Sequence, residues 1–226
     1  MDVLNIQNFL KELSQNNNRE WFAAHKEWYD KCKADFDEIS RLLIMEIAGF
    51  DAEIRTVEPR DCVFRIYRDT RFAKDKTPYK NHFGVFIAAE GGRKSERAGY
   101  YFHIEPEASF LAAGVWCPPP PLLKVLRKSV YDNIEELTEI RQDAGFSKYF
   151  NEFYDDDKLK TVPAGFSKDF EHAELLKLKH YMVEFKMDDD FLKQKDLVKS
   201  VAGIFNQAYP LNRFLNYAVD EYKGRV

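Results

Sequence analysis

The sequence lacks the features that mark a secreted, disulfide-stabilised or membrane-spanning protein. Its three cysteines form no C-x-x-C pair and leave an odd one over. This usage is typical of a reducing cytosol, where thiols act as small hydrophobic side chains. The N-terminus has no basic segment followed by an apolar run, and no stretch approaches ~18 consecutive apolar residues. The sequence therefore predicts a cytoplasmic protein without a signal peptide or a membrane segment.

The motifs of several large enzyme classes are also missing. The sequence has no G-x-G-x-x-G, no Walker loop and no G-x-S-x-G elbow, and Gly91-Gly92 is typical of a turn. It has no H-E-x-x-H or paired-cysteine motif, and His172 and His180 lie eight residues apart. We therefore predict no metal site, no cofactor and no nucleophilic Ser or Cys, and the sequence names no reaction.

What is present predicts a folded globular protein. Hydrophobic residues make up 45% of the chain, charged residues 32% and aromatic residues 15%, a composition that favours a packed core over disorder. The pI near 5.8 argues against broad nucleic-acid binding, which usually needs a basic face. Because no repeat, low-complexity linker or domain boundary is evident, we predict a single domain over residues 1–226.

Hydrophobic periodicity predicts an α+β fold with an antiparallel β-meander. Residues 1–50 follow helical spacing, with a long helix from Asn18 to Ala48. Residues 60–117 change to period two, and the short connections predict hairpins. The predicted strands are Cys62–Arg68, Phe83–Glu90, Ala98–Glu107 and Ser109–Cys117.

The last half of the chain, residues 118–226, is predicted to be mainly helical. It contains one further strand at Tyr181–Met187. A helix that begins near Asp188–Asp190 is predicted to end at Ala208, and Pro210 to separate it from a final helix. The long N-terminal helix and these C-terminal helices are expected to flank the sheet.

The segment Arg65–Phe83 carries six cations and two carboxylates, a net charge of +4 in a chain of net charge −4. We call it the basic loop. Arginines, lysines and tyrosine hydroxyls suit phosphate or carboxylate groups, which predicts an anion-binding site. The alternative is a solvated run paired internally, with Arg68 next to Asp69 and Asp75 between two lysines. The candidate ligand-binding residues are Arg65, Tyr67, Arg68, Asp69, Arg71, Lys74, Lys76, Tyr79 and Lys80.

Alternation in the strands predicts which side chains share a face. His103 and Glu105 lie on the opposite face from Phe102 and Ile104. The same pattern places Arg65, Tyr67 and Tyr101 with His103, and Phe64 and Ile66 with the core. Since a carboxylate can orient an imidazole and raise its pKa, His103 and Glu105 are the candidate catalytic acid–base pair. The alternative is an ordinary polar pair on a half-exposed strand.

The chain resembles a family of uncharacterised, mostly bacterial proteins known only as a domain of unknown function. The matching stretches are FLKELSQNNNREWFAAHKEWY (Phe9–Tyr29), FRIYRDTRFAKDKTPYKNHFG (Phe64–Gly84), YYFHIEPEASFLAAGVWCPPP (Tyr100–Pro120) and PLNRFLN (Pro210–Asn216). The resemblance covers nearly the whole chain and implies a single-domain α+β protein with no established activity. One departure is Glu107, where similar proteins tend to have glycine. The signature residues of the family coincide with the candidate residues above.

Two classes of function remain open from the sequence. The first is an enzyme or binder for a small anionic ligand, of which phosphorylated ligands are one class, held by the basic loop with His103 and Glu105 in the site. The second is a non-catalytic module that binds nucleic acid or a protein through the same patch. A concave site favours the first, and a flat stripe with exposed aromatic rings favours the second. The oligomeric state is not indicated.

Overall fold

The computed structural model describes residues 1–225, and its centre is a four-stranded antiparallel sheet. The strands lie side by side in chain order, so each pairs with its neighbours in sequence. They are β1 (Phe83–Ile87), β2 (Gly99–Ile104), β3 (Phe110–Val115) and β4 (Tyr181–Lys186). The predicted α+β fold with an antiparallel meander is confirmed. The strand predicted at Tyr181–Met187 forms its fourth member.

Helices pack on one face of this sheet, which we call the inner face. Phe102 of β2 stacks on a phenylalanine of α3, and Tyr100 packs against a phenylalanine of α10. Burial of such aromatic side chains is the main favourable contribution to folding. The helices are α1 (Val3–Gln15), α2 (Arg19–Ala24), α3 (Lys26–Ile47), α4 (Pro59–Cys62), α5 (Pro120–Asp132), α6 (Ile134–Gln142), α7 (Ala144–Tyr149), α8 (Ala173–Leu176), α9 (Asp189–Leu192) and α10 (Leu197–Tyr222). Short 3₁₀ turns cover Ala52–Thr56 and Gly92–Lys94.

The strand predicted at Cys62–Arg68 is wrong. Cys62 ends α4, and the residues after it form isolated bridges rather than a ladder. Val63 pairs with Val85 of β1, whereas Tyr67 pairs with Tyr79 inside the basic loop. The segment therefore changes partner within four residues, which a regular strand does not do. The prediction that the sheet begins near residue 60 is therefore wrong, because its first strand begins at Phe83.

Two predicted helix boundaries are also wrong. The helix predicted from Asn18 to Ala48 is interrupted at His25. Nδ1 of the His25 ring lies 2.8 Å from the carbonyl oxygen of Trp21. The ring thus competes with backbone N–H groups for a carbonyl of the helix. At the other end, α10 continues through Pro210. Leu211 and Leu215 are buried just beyond this proline, so their burial compensates for the lost backbone hydrogen bond.

A buried arginine ties the C-terminal helix to the rest of the molecule. Arg97 is 3% exposed and donates hydrogen bonds to Glu53 at 2.8 Å and to Asp220 of α10. Glu90 lies 3.4 Å from the same guanidinium. A buried guanidinium needs such partners because an unpaired buried charge is very costly. Within residues 1–225 no helix is both long and apolar enough to cross a bilayer.

Candidate functional site

The face of the sheet that points away from α3 and α10, which we call the outer face, carries a cavity of about 460 Å³. It is open where the strands have small residues, among them Ala112 and Gly114 of β3. We call it the outer-face cavity. Its lining includes Phe64, Lys80, His82, Phe86, Arg93, Ser95, Arg97, Gly99, Tyr101, His103, Phe110, Ala112, Ala113, Gly114, Val115, Trp116, Met182 and Glu184.

A chain of hydrogen bonds crosses this face at β2. The hydroxyl of Tyr101 lies 2.9 Å from Nδ1 of His103, and Nε2 of His103 lies 2.9 Å from Oε2 of Glu105. Alternation along the strand places the three side chains on the same face. The ring of Phe110, directly across the ladder, stacks on His103 with 4.6 Å between ring centroids. The imidazole is thus held at both nitrogens and along one ring face.

His82, one residue before β1, completes the cluster. Its ring centroid is 4.3 Å from that of His103, because Gly84 pairs with His103 and the residue two positions earlier shares its face. His82, His103 and Glu105 offer ligand atoms that all lie within 4.8 Å of one another. Among the described residues, this is the group of His, Cys, Asp and Glu side chains close enough to share a metal ion.

Burial keeps both imidazoles neutral at pH 7. Desolvation lowers the pKa of His103 to about 4, with a further contribution from the charge of Lys80. Desolvation and the neighbouring His103 likewise lower the pKa of His82 to about 4. The pKa of His103 is thus lowered rather than raised. Its contact with Glu105 is a hydrogen bond of a neutral imidazole rather than an ion pair.

Gly84 leaves the space that Tyr101 occupies. A Cβ at position 84 would stand 2.6 Å from the Tyr101 hydroxyl and 3.1 Å from its ring carbons. Since this glycine does not have a positive φ, the close approach of Tyr101, and not backbone conformation, accounts for the small residue here. The glycine thus permits the contact between Tyr101 and His103.

Both carboxylates of the basic loop are paired within the loop. Arg68 forms a salt bridge with Asp75, Arg71 forms one with Asp69 at 2.7 Å, and Lys76 donates to the carbonyl of Thr70. The internal pairing considered from the sequence therefore occurs, with different partners. Within residues 1–225, no salt bridge is made by Arg65, Lys74 or Lys80.

Lys80 is the one candidate of the basic loop that lines the outer-face cavity. Its ammonium group lies 5.2 Å from the centroid of the Phe64 ring. Phe64 itself packs edge-on against Tyr101, with ring centroids 6.1 Å apart. The prediction that Phe64 faces the core is therefore wrong, because the segment around it has no regular strand alternation. Ile66 is buried in the core as predicted.

The rest of the basic loop is anchored on the N-terminal helices. Tyr79 stacks on Phe22 of α2 at a centroid distance of 3.9 Å, and Tyr67 packs edge-on against the same ring. The side chain of Asn17 holds both the backbone N–H and the carbonyl of Tyr79. Phe72, at the tip of the loop, does not take part in this anchor and is 94% exposed.

The structure thus divides the candidate residues into three groups. His103, Glu105 and Lys80 come together at the outer-face cavity or beside it. Tyr79 is part of the anchor described above, and Tyr67 packs beside it. The remaining candidates do not line the cavity and belong to the exposed or internally paired part of the loop: Arg65, Arg68, Asp69, Arg71, Lys74 and Lys76.

Sequence reasoning missed three residues of the site. His82 was overlooked because the predicted strand begins one residue later, although its parity with Gly84 is enough to place it on the outer face. Tyr101 was assigned to the correct face but not to a hydrogen bond with His103. Arg93 lies in the 3₁₀ turn between β1 and β2, and no local pattern indicates that this turn borders the cavity.

Comparison with known proteins identifies the family to which the chain belongs but assigns it no activity. The family model described as "Conserved hypothetical protein (DUF2461)" matches residues 5–214, which is most of the chain. No curated protein and no solved structure matches the chain. The protein therefore belongs to the DUF2461 family of conserved hypothetical proteins.

Proposed function

We propose that the outer-face cavity binds a small anionic ligand, with phosphorylated compounds as one class, and that His103 and Glu105 act on it. The observation that carries this proposal is the position of Lys80 beside the hydrogen-bonded chain of Tyr101, His103 and Glu105. The cavity has the size of a small-molecule site and combines apolar walls with a few convergent polar groups. In such a site the polar groups fix the orientation of the ligand.

Charge at the cavity favours an anion. Lys80, Arg93 and Arg97 line it against one carboxylate, Glu184. Arg97 is neutralised by its own carboxylate partners, so Lys80 and Arg93 supply the attraction. Phosphate and carboxylate groups bind such cations with strong, charge-assisted hydrogen bonds. The small anionic ligand expected from the sequence is therefore kept in this proposal, but with fewer binding residues.

The hydrogen bonds of His103 define its part in the proposal. Glu105 fixes the orientation of the ring, and Tyr101 holds the other nitrogen. Because both ring nitrogens are bonded, a proton from a bound group would reach His103 through the Tyr101 hydroxyl: the hydroxyl takes that proton and gives its own to Nδ1, while Nε2 gives its proton to Glu105.

Thermal unfolding in phosphate tests the binding proposal. A ligand that binds only the folded state adds about 2.7 kcal/mol at one hundred times its Kd. The wild type should unfold at a higher temperature in millimolar phosphate than in chloride of equal ionic strength. Lys80→Gln should remove most of this difference. Lys33→Gln should keep it, because Lys33 lies on α3 on the other side of the sheet. Equal phosphate responses in all three proteins would disprove the proposal.

The second function, a nucleic-acid- or protein-binding module, is favoured by one observation. The side chain of Phe72 is exposed to solvent at the tip of the basic loop, and the guanidinium of Arg71 lies beside its ring. Exposed aromatic rings among cations are the feature on which single-stranded nucleic acids stack. The double variant Arg71→Gln, Phe72→Ala separates the two functions. It should abolish salt-dependent binding to a single-stranded oligonucleotide if the loop is the site, and should leave the phosphate response of the cavity unchanged.

A further inference from the structure

We infer that His82, His103 and Glu105 form a binding site for one divalent transition-metal ion at the outer-face cavity. Two imidazoles and one carboxylate are a ligand set that suits zinc or ferrous iron, with the remaining coordination positions open. The inference stands on the three ligand atoms and holds whether or not the cavity also binds an anion.

The distances among the three residues fit a common ion after small side-chain adjustments. The ligand atoms lie within 4.8 Å of one another, and Nε2 of His103 is 2.9 Å from Oε2 of Glu105. With metal–ligand bonds of ~2.1 Å, two ligands of one ion are at most ~4.2 Å apart, and adjacent ones about 3 Å. The pair of His103 and Glu105 already has the spacing of adjacent ligands. Since every ligand atom lies within 4.8 Å of the others, a side-chain rotation of His82 can bring its ring nitrogen to the same ion.

The position of His82 favours a metal site over an acid–base pair formed by His103 and Glu105 alone. Within residues 1–225 its ring forms no hydrogen bond, yet it is half-buried beside the ring of His103. A chain of Tyr101, His103 and Glu105 would be complete without it. His82 lines the outer-face cavity, so a ring nitrogen that no protein group engages is accessible to an ion bound at this cluster.

Tyr101 supplies the outer hydrogen bond that metal-bound histidines usually make. Its hydroxyl lies 2.9 Å from Nδ1 of His103, which leaves Nε2 directed towards Glu105 and the ion. Such partners fix the tautomer and the ring orientation of a ligand histidine, and their loss typically lowers metal affinity 10–100-fold. Tyr101 is therefore a positioning residue, and Gly84 makes room for it.

The surroundings leave a place for a further ligand. The outer-face cavity opens beside the two histidines, so water or an anionic group can reach the ion. Glu105 supplies one negative charge to a dication, and Lys80 nearby is positive. An anion that contacts both the ion and Lys80 would balance these charges, which links the metal site to the anion proposed above.

Cobalt binding tests the inference, because Co²⁺ takes zinc and iron sites and absorbs visible light when it is bound. Protein freed of metal by EDTA dialysis is titrated with Co²⁺ and followed by its d–d absorption. We expect one saturable equivalent in the wild type. His82→Gln and Glu105→Gln should each raise the Kd at least tenfold, and Tyr101→Phe about tenfold. His180→Gln is the matched control, since His180 pairs with Asp157 elsewhere, and should bind as wild type does.

Each outcome decides the proposal. Absence of a saturable wild-type absorption, or equal Kd values in the wild type and both ligand variants, would overturn it. Tyr101→Phe removes a hydroxyl and keeps the ring, so it provides the test if a ligand variant fails to fold. The phosphate melting experiment repeated in EDTA separates the two proposals. A phosphate response without cobalt binding retains only the anion site, and cobalt binding without a phosphate response retains only the metal site.

Discussion

The side chain of Tyr101 lies over Gly84, the residue of β1 that pairs with His103, and a Cβ on Gly84 would lie 2.6 Å from the Tyr101 hydroxyl. Gly84→Ala should therefore displace Tyr101 and break its hydrogen bond to His103. Overpacking of this kind typically costs about 1–3 kcal/mol. Urea denaturation should show this loss in the free energy of unfolding.

Gly203→Ala is the matched control for that substitution. Gly203 lies in α10 with no atom within 4 Å of its added Cβ. Alanine is the better helix former by about 0.5–1 kcal/mol, so this variant should be more stable than the wild type. If Gly84→Ala is also stabilising, Tyr101 is not held as described.

Replacing the buried Arg97 should lower the free energy of unfolding more than replacing an exposed arginine. Arg97→Met removes the buried cation and leaves Glu53 and Asp220 facing each other, at a cost of about 3 kcal/mol. Arg41, paired with Glu38 on the exposed side of α3, gives the comparison. Arg41→Met should change the free energy of unfolding by less than about 1 kcal/mol. Comparable losses in the two variants would contradict the burial of Arg97.

Glu90 predicts an acid dependence of stability. Hydrogen bonds from Arg225 and Lys223 lower its pKa from 4.5 to about 2. A carboxyl group with a lowered folded-state pKa stabilises the protein above its unfolded pKa, and this contribution is lost as the pH falls towards 2. The stability difference between wild type and Glu90→Gln should be largest near pH 6 and shrink between about pH 4.5 and 2. A difference that does not change with pH would contradict the pairing.

Local pattern was enough to predict the sheet and one face of its second strand. Hydrophobic alternation identified all four strands of the sheet and separated His103 from Phe102 correctly, because a regular ladder enforces period two. The same rule failed at Phe64, where the chain leaves the ladder. Long-range contacts determine the structure of such segments. The hydrogen bond between Asn17 and Tyr79 that anchors the basic loop, for example, joins residues 62 positions apart.

The turn after β2 contains a residue with an uncommon backbone conformation. Glu107 has a φ of 62°, in the left-handed region that glycine adopts without strain. The sequence could indicate an unusual turn there. It could not indicate His82 as a neighbour of His103, because that contact depends on the register between β1 and β2.

The most direct test of the cavity as a ligand site is the response of the histidine rings to phosphate. Long-range ¹H–¹⁵N spectra of labelled protein resolve the imidazoles, and phosphate is titrated at constant pH and ionic strength. Saturable shifts with one Kd are expected for His82 and His103, and no shifts for His25 or His172, which do not line the cavity. Shifts of similar size at all four rings, or none at His82 and His103, would contradict it.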